Sequence, residues 1–216
     1  PFLLPIGIDP NGMSDDLIDM RCNWYFHKEP ETLRWIEGFC NEPVFWDVGA
    51  NIGSFSLYCL NQRARSVIYA FEPVESNFKM LERNIKSADG LVGSIFPKKM
   101  GMSDKTGWAS FGSKTFAPGS SGGQVGDIGE KTDDSIKVTT GDDFAKRHGV
   151  PDYVKIDIDG QELRVLEGMK EVLANPKLKS VLFESNDKDG GPEKLLESYG
   201  FKFIARGRVN QIWARE

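Results

Sequence analysis

The sequence predicts an α/β domain built on a doubly wound, mostly parallel sheet. Three observations carry that prediction. Short apolar runs of strand length alternate with amphipathic stretches of helix length along most of the chain. A glycine-rich turn joins the first such run to the stretch that follows it. The chain then closes on two further runs linked by a tight turn, a pairing that is necessarily antiparallel.

The elements follow in order. Residues 1–42 precede the alternation, and within them Glu31 to Cys40 carries Leu33, Ile36 and Cys40 on one side with Trp35 and Phe39 beside them. That pattern predicts a helix packed as a cap on the domain proper, residues 43–216. Val44 to Val48, apolar except for Asp47, predicts the first strand, and Ser54 to Asn61 a helix. Val67 to Phe71 is a second strand, stopped by Glu72-Pro73. Val74, Phe78, Leu81 and Ile85 then recur as one helix face. Ser94 to Met100 is a weaker strand, since Pro97 lacks the N–H that an interior ladder needs. Ser113 to Asp134 is rich in Gly, Ser and Asp and reads as a long loop, either solvated or gating a substrate. Asp152 to Ile158 is a third clear strand. After Gly160, a helix presents Leu163, Leu166, Met169 and Leu173. Ser180 to Phe183 is another buried strand, the helix around Leu195 stops near Gly200, and Phe201 to Ala205 with Val209 to Ala214 form the closing hairpin.

Composition narrows the function. The 216 residues suit one domain, and 39% hydrophobic residues supply a core. A net charge of −5 without a block of like sign points away from nucleic acid and from a polybasic membrane patch. Cys22, Cys40 and Cys59 are odd in number and widely spaced, as expected of reduced thiols in a cytoplasmic protein. The two histidines, His27 and His148, exclude a multi-histidine metal cage. No apolar run approaches the ~18 residues of a membrane span. Oligomeric state is left open.

The strongest motif is Asp47-Val48-Gly49-Ala50-Asn51-Ile52-Gly53, between a strand and a helix. Gly49 and Gly53 let the backbone turn sharply and approach a ligand closely. The helix start adds free N–H groups. Glu72, at the end of the next strand, stands at the sheet edge where an acid accepts ribose hydroxyls. Together these elements specify a nucleoside-type ligand. The spacing lacks the close glycine pair of the dinucleotide fingerprint. Asp47 offers a negative charge instead, which suits S-adenosylmethionine, a cationic nucleoside without phosphates.

Phe45-Trp-Asp-Val-Gly-Ala-Asn-Ile-Gly53, Tyr69-Ala-Phe-Glu-Pro73, Asp142-Asp-Phe144, Val154-Lys-Ile-Asp-Ile-Asp-Gly-Gln-Glu-Leu163 and Asn210-Gln-Ile-Trp213 together resemble the FkbM family of S-adenosylmethionine-dependent methyltransferases. The resemblance covers about Glu29 to the C-terminus. It implies a class I methyltransferase (Rossmann-like) fold, with a seven-stranded sheet whose last strand is antiparallel. It also implies methyl transfer to a hydroxyl of a small molecule or glycan, a sugar or a polyketide-like natural product. Two positions depart from the family pattern: Asp159 stands where Glu is commoner, and Gly141 where Leu usually precedes Asp-Asp-Phe. Carried over, Asp47, Gly49, Asn51 and Gly53 line the methionine end of the cofactor, with Asp157 beside them. Glu72 holds the ribose with Pro73 and Asn77 nearby. Met102 and Ser103 sit at the adenine, although Met102 reads equally well as core filler.

The stretch from Lys155 to Glu162 is the expected reaction centre. Strand alternation sends Lys155, Asp157 and Asp159 to one side. An alcohol attacks well only as its proton leaves, so Asp157 or Asp159 is the expected acceptor of that proton. His27 is a further candidate, set among Trp24, Tyr25 and Phe26, which would stack on a sugar or pack in the core. A structural alternative has Asp159 capping the next helix and Glu162 completing a capping box. A second alternative gathers Asp157, Asp159 and Glu184 around Mg²⁺, a lesser expectation than a metal-free site. His148 is expected as a partner of a helix C-terminus. The competing functions are an N-methyltransferase, a non-catalytic S-adenosylmethionine-binding protein and, more remotely, a nicotinamide dehydrogenase. An Asn/Asp-Pro-Pro-aromatic stretch, the mark of the first, is absent after the fourth strand.

Overall fold

The computed structural model describes residues 29–88, 93–112, 124–184 and 189–215. Its main sheet runs β10-β11-β9-β8-β1-β2-β3. The parallel centre consists of β1 (Val44–Val48), β2 (Val67–Phe71), β3 (Ser94–Lys98), β8 (Tyr153–Ile156) and β9 (Ser180–Glu184). β11 (Asn210–Ala214) is antiparallel to β9 and to β10 (Lys202–Arg206), so the closing hairpin lies as expected. Pro97 is accommodated because β3 is an edge strand, where a missing donor breaks no interior ladder.

Alternation along the strands sorts side chains to two faces. Trp46, Val48, Phe71, Val154, Ile156 and Phe183 enter one core. They lie under α4 (Gly141–His148), α5 (Glu162–Glu167), α6 (Lys170–Ala174) and α7 (Gly191–Ser198). Phe45, Ile68 and Ala70 enter the other, under α1 (Pro30–Glu37), α2 (Ser54–Gln62) and α3 (Glu75–Ser87). α1 is integral to this second layer. Leu33, Ile36 and Phe39 are buried in it, Phe39 stacks on Tyr153 at 3.7 Å, and Trp35 Nε1 donates to Ser180 Oγ at 2.9 Å. The helix thus covers a sheet face. The remainder of the expected cap, residues 1–28, lies outside the described residues.

Three expectations are corrected. The stretch 113–134 is not all loop: β6 (Gln124–Gly129) pairs antiparallel with β5 (Gly107–Gly112). β5 in turn pairs with β7 (Ser135–Thr139), and β4 (Gly101–Met102) completes a second sheet of order β4-β7-β5-β6. Residues 113–123 lie outside the described residues. The strand expected to reach Ile158 ends at Ile156. The single helix expected after Gly160 is two, broken at Gly168-Met169 by close packing. A Cβ on Gly168 would stand 2.1 Å from the Ser103 carbonyl oxygen, and one on Gly141 would stand 2.6 Å from Met169 Cβ. Gly141 therefore replaces the family leucine because α6's start lies against it. The residues beside Gly141 have structural work as well: Thr140 Oγ1 accepts from Asp143 N to start α4, and Asp142 Oδ1 accepts from Val172 N to start α6. Among the described residues, no helix is long and apolar enough to cross a membrane.

Candidate active site

The site forms where β1, β2 and β8 end together. Gly49, Asn51 and Gly53 all have positive φ, at 81°, 52° and 89°. A Cβ on Gly49 would stand 2.0 Å from the Asp157 carbonyl oxygen, so only glycine lets the β1 turn pass against the β8 turn. The turn is fastened to β2, since Gly49 N and Ala50 N both donate to Phe71 O, at 3.0 and 2.9 Å. Asn84 Nδ2 supports it from below, donating to Ile52 O at 2.8 Å.

Glu72 completes this side. It is 4% exposed; its Oε2 accepts from Asn51 N at 2.9 Å and its Oε1 from Val74 N at 2.8 Å. The Asn77 side chain, from α3, bonds the same carboxylate. A carboxylate has about four acceptor positions, so the protein fills most of them and leaves room for one ligand hydroxyl. Burial pushes the Glu72 carboxyl up to about 7 against these hydrogen bonds. Pro73 lies half-buried beside it.

Asp47 is fully buried and caps α2 from within: its Oδ2 accepts from Ser56 Oγ at 2.6 Å, and the Ser56 backbone adds a further bond. Its Oδ1 is also buried and has no hydrogen-bond partner among the described residues. Burial raises its pKa, against the attraction of Lys155, which stands opposite it in the β1–β8 register. Lys155 is 1% exposed, and its Nζ donates to Asp157 Oδ2 at 2.7 Å.

Asp157 is thus brought to the crevice edge, its side chain 32% exposed. Asp159 departs from the expected alternation: it is in the left-handed region, φ 54°, followed by Gly160 at 91°, so residues 157–160 form a turn. The capping box is not formed. Gln161 occupies the N-cap of α5 without a side-chain bond. Glu162, 3% exposed, folds back instead to accept from Gly160 N at 3.0 Å, and its pKa is raised by burial. Among the described residues, no three His, Cys, Asp or Glu side chains gather to hold a metal, so Asp157, Asp159 and Glu184 do not form that set.

Met102, 2% exposed, belongs to the main core, and Ser103 turns its hydroxyl to Asp104 Oδ1 at 2.9 Å. Asp104 in turn pairs with Arg164 at 2.9 Å, tying this strand end to α5. The Met102 side chain is therefore core filler. His148 is exposed at the end of α4 and stacks on Phe144 at 4.2 Å. His27 and the aromatic residues before it lie outside the described residues. Sequence reading missed the support of Ser56 and Asn84 and the burial of Lys155. Only the alternation placing Lys155 with Asp157 signalled any of these.

This strand order, with the antiparallel strand slotted beside β9 and a glycine turn and acid at the carboxyl edge, defines the class I S-adenosylmethionine-dependent methyltransferase fold. A solved structure, methyltransferase FkbM from Methylobacillus flagellatus KT, shares it with a TM-score of 0.61 at 15% identity, covering 94% of this chain and 56% of that one. The chain belongs to the methyltransferase FkbM domain family, whose model matches residues 47–203. Hexuronic acid methyltransferase AglP of Haloferax volcanii is 34% identical over 134 residues, 61% of this chain and 52% of that protein. The 31-O-demethyl-FK506 methyltransferase FkbM of Streptomyces tacrolimicus is 28% identical over 200 residues, 75% of this chain and 74% of that protein. The match to the first of these spans about half of that relative's length.

Proposed function

We propose that this chain is an S-adenosylmethionine-dependent O-methyltransferase acting on a hydroxyl of a small molecule or glycan. The observation that carries the reading is the buried Asp47 Oδ1, without a partner among the described residues, beside a turn that only Gly49 permits. A desolvated carboxylate oxygen calls for a donor, and a cationic ligand lying along the turn supplies one. The residues fit the cofactor: Asp47, Gly49, Asn51 and Gly53 for its methionine end, and Glu72 with Asn77 and Pro73 for the ribose. Ser103 and the backbone of Met102, at the end of β4, would hold the adenine. When bound, S-adenosylmethionine supplies an electrophilic methyl group whose bond to sulfur breaks as the acceptor oxygen takes it.

The protein's part is alignment and proton handling. Fixing the acceptor in line with the methyl group is worth about 7–11 kcal/mol. Asp157, at the crevice edge, accepts the hydroxyl proton as the oxygen–carbon bond forms. The names of two relatives, one for hexuronic acid and one for the 31-O position of FK506, support an oxygen-rich acceptor. The test incubates the protein with methyl-labelled S-adenosylmethionine and a panel of sugars, glycolipids and polyketides, followed by mass analysis. The expected product carries label on oxygen, and Asp157→Asn binds cofactor normally but loses about 100-fold or more in turnover. Full turnover in that variant would remove Asp157 from the mechanism.

A further inference from the structure

We propose that Lys155 is a positioning residue for the reaction, its buried ammonium fixing the Asp157 carboxylate at the crevice edge and linking it to Asp47 on the cofactor side. The inference rests on the function proposed above and adds a residue to it. A lysine side chain 1% exposed in the middle of a sheet needs a reason. Its neighbours on that face, Ala70 across β1 and Leu182 on β9, are apolar, as is Phe45. A methionine would fill similar space with no charge to desolvate, and such replacements of buried ions are often neutral or stabilising. The charge is therefore kept for what it touches.

Three carboxylates act on that ammonium: Asp157 from the turn after β8, Asp47 from β1 and Glu29 ahead of α1. The Phe55 ring of α2 lies 4.7 Å from Nζ and closes the remaining side. Glu29 is held elsewhere as well, its Oε2 accepting from Asn210 Nδ2 at 2.9 Å and from Thr32 Oγ1 at 3.4 Å. The direct bond goes to Asp157, at 2.7 Å. Asp157 alone of the three reaches the crevice, and its amide is pinned as well, donating to Val48 O at 3.0 Å. The carboxylate is thus held at both ends of its residue. Oδ2 is engaged with Lys155, which orients the other oxygen, Oδ1. Burial opposes the charge on Lys155, but the surrounding carboxylates outweigh it, so the ammonium stays charged.

The test uses Lys155→Met, Lys155→Gln and Lys155→Arg. A carboxyl ¹³C NMR titration of Asp157 in the ligand-free protein, assigned with Asp157→Asn, reads the contact without any turnover. Losing an adjacent cation is expected to raise the Asp157 midpoint by about 1 pH unit or more in the Met and Gln variants. Arg keeps the charge and is expected to restore the parent midpoint. In turnover, Met and Gln lower kcat about 10-fold or more with little change in the cofactor Kd, and the acid limb of the kcat/KM profile moves with the NMR midpoint. Arg recovers the limb. A merely structural lysine would lower the melting temperature and leave both the midpoint and the limb in place. If the Met variant does not fold, Gln carries the same reading. An unchanged midpoint in a folded, uncharged variant overturns the proposal. Failure of the parent protein to bind S-adenosylmethionine would instead overturn the function on which it rests, so the two failures are distinguishable.

Discussion

Acidifying the medium from pH 8 to pH 5.5 protonates Glu72, and the structure sets the size of the effect. The carboxyl is pushed by burial up to about 7. At pH 8 about 90% of it is ionised, and at pH 5.5 about 3%. If the ionised form alone binds the ribose, the apparent Kd scales inversely with that fraction and rises about 30-fold across the interval. Unfolding is not the cause, because the linkage has the opposite sign. A carboxyl raised from 4.5 to about 7 binds protons more tightly folded than unfolded, so its contribution to stability is present below 4.5 and is lost as pH rises through about 7. The loss amounts to about 3 kcal/mol for this buried group. Asp47 and Glu162, raised by burial too, act in the same direction. Acid therefore firms the fold through these groups while weakening the site. Isothermal titration with S-adenosylmethionine at several pH values, with circular dichroism on the same samples, is the assay. Glu72→Gln is expected to bind about 10-fold or more weakly at pH 8, where a charge-assisted bond is lost, and to show a much flatter pH dependence than the parent between 5.5 and 8. A wild-type Kd that changes less than threefold over this range, with the fold intact, refutes the reasoning.

Three other perturbations follow from the packing. Gly49→Ala places a Cβ 2.0 Å from the Asp157 carbonyl oxygen at φ 81°, so it is expected to cost about 2 kcal/mol or more and to abolish cofactor heat, read by melting and calorimetry. Gly141→Leu drives a side chain into Met169 and is expected to cost about 1–3 kcal/mol, a melting temperature lower by several degrees. Asp142→Ala removes the oxygen that takes Val172 N at 3.0 Å and is expected to cost about 1 kcal/mol, with α6 amides exchanging faster with deuterium.

The central strands were legible because parallel strands buried on both faces read as continuous apolar runs. Val44–Val48 and Val67–Phe71 match their expected limits residue for residue. The second sheet was not legible, since β5 and β7 bury little beyond Ala109, Val138 and Thr139 and carry no sustained alternation. The 157–160 turn was misread for a related reason: the alternating Ile-Asp pattern continues past Ile156, while the backbone leaves the strand at positions an alternation rule cannot mark. The glycine turn and Glu72 came from local spacing, which short-range chemistry records well. The partners of Asp47 did not, because Ser56 and Lys155 reach it only through the helix start and the neighbouring strand.

The most direct test titrates S-adenosylmethionine, and its demethylated product S-adenosylhomocysteine, into the purified chain at pH 8 in a calorimeter. The expected result is saturable heat with one site per chain for both compounds, lost in Gly49→Ala. Absence of heat from either compound in the folded wild-type protein would contradict the assignment of the crevice.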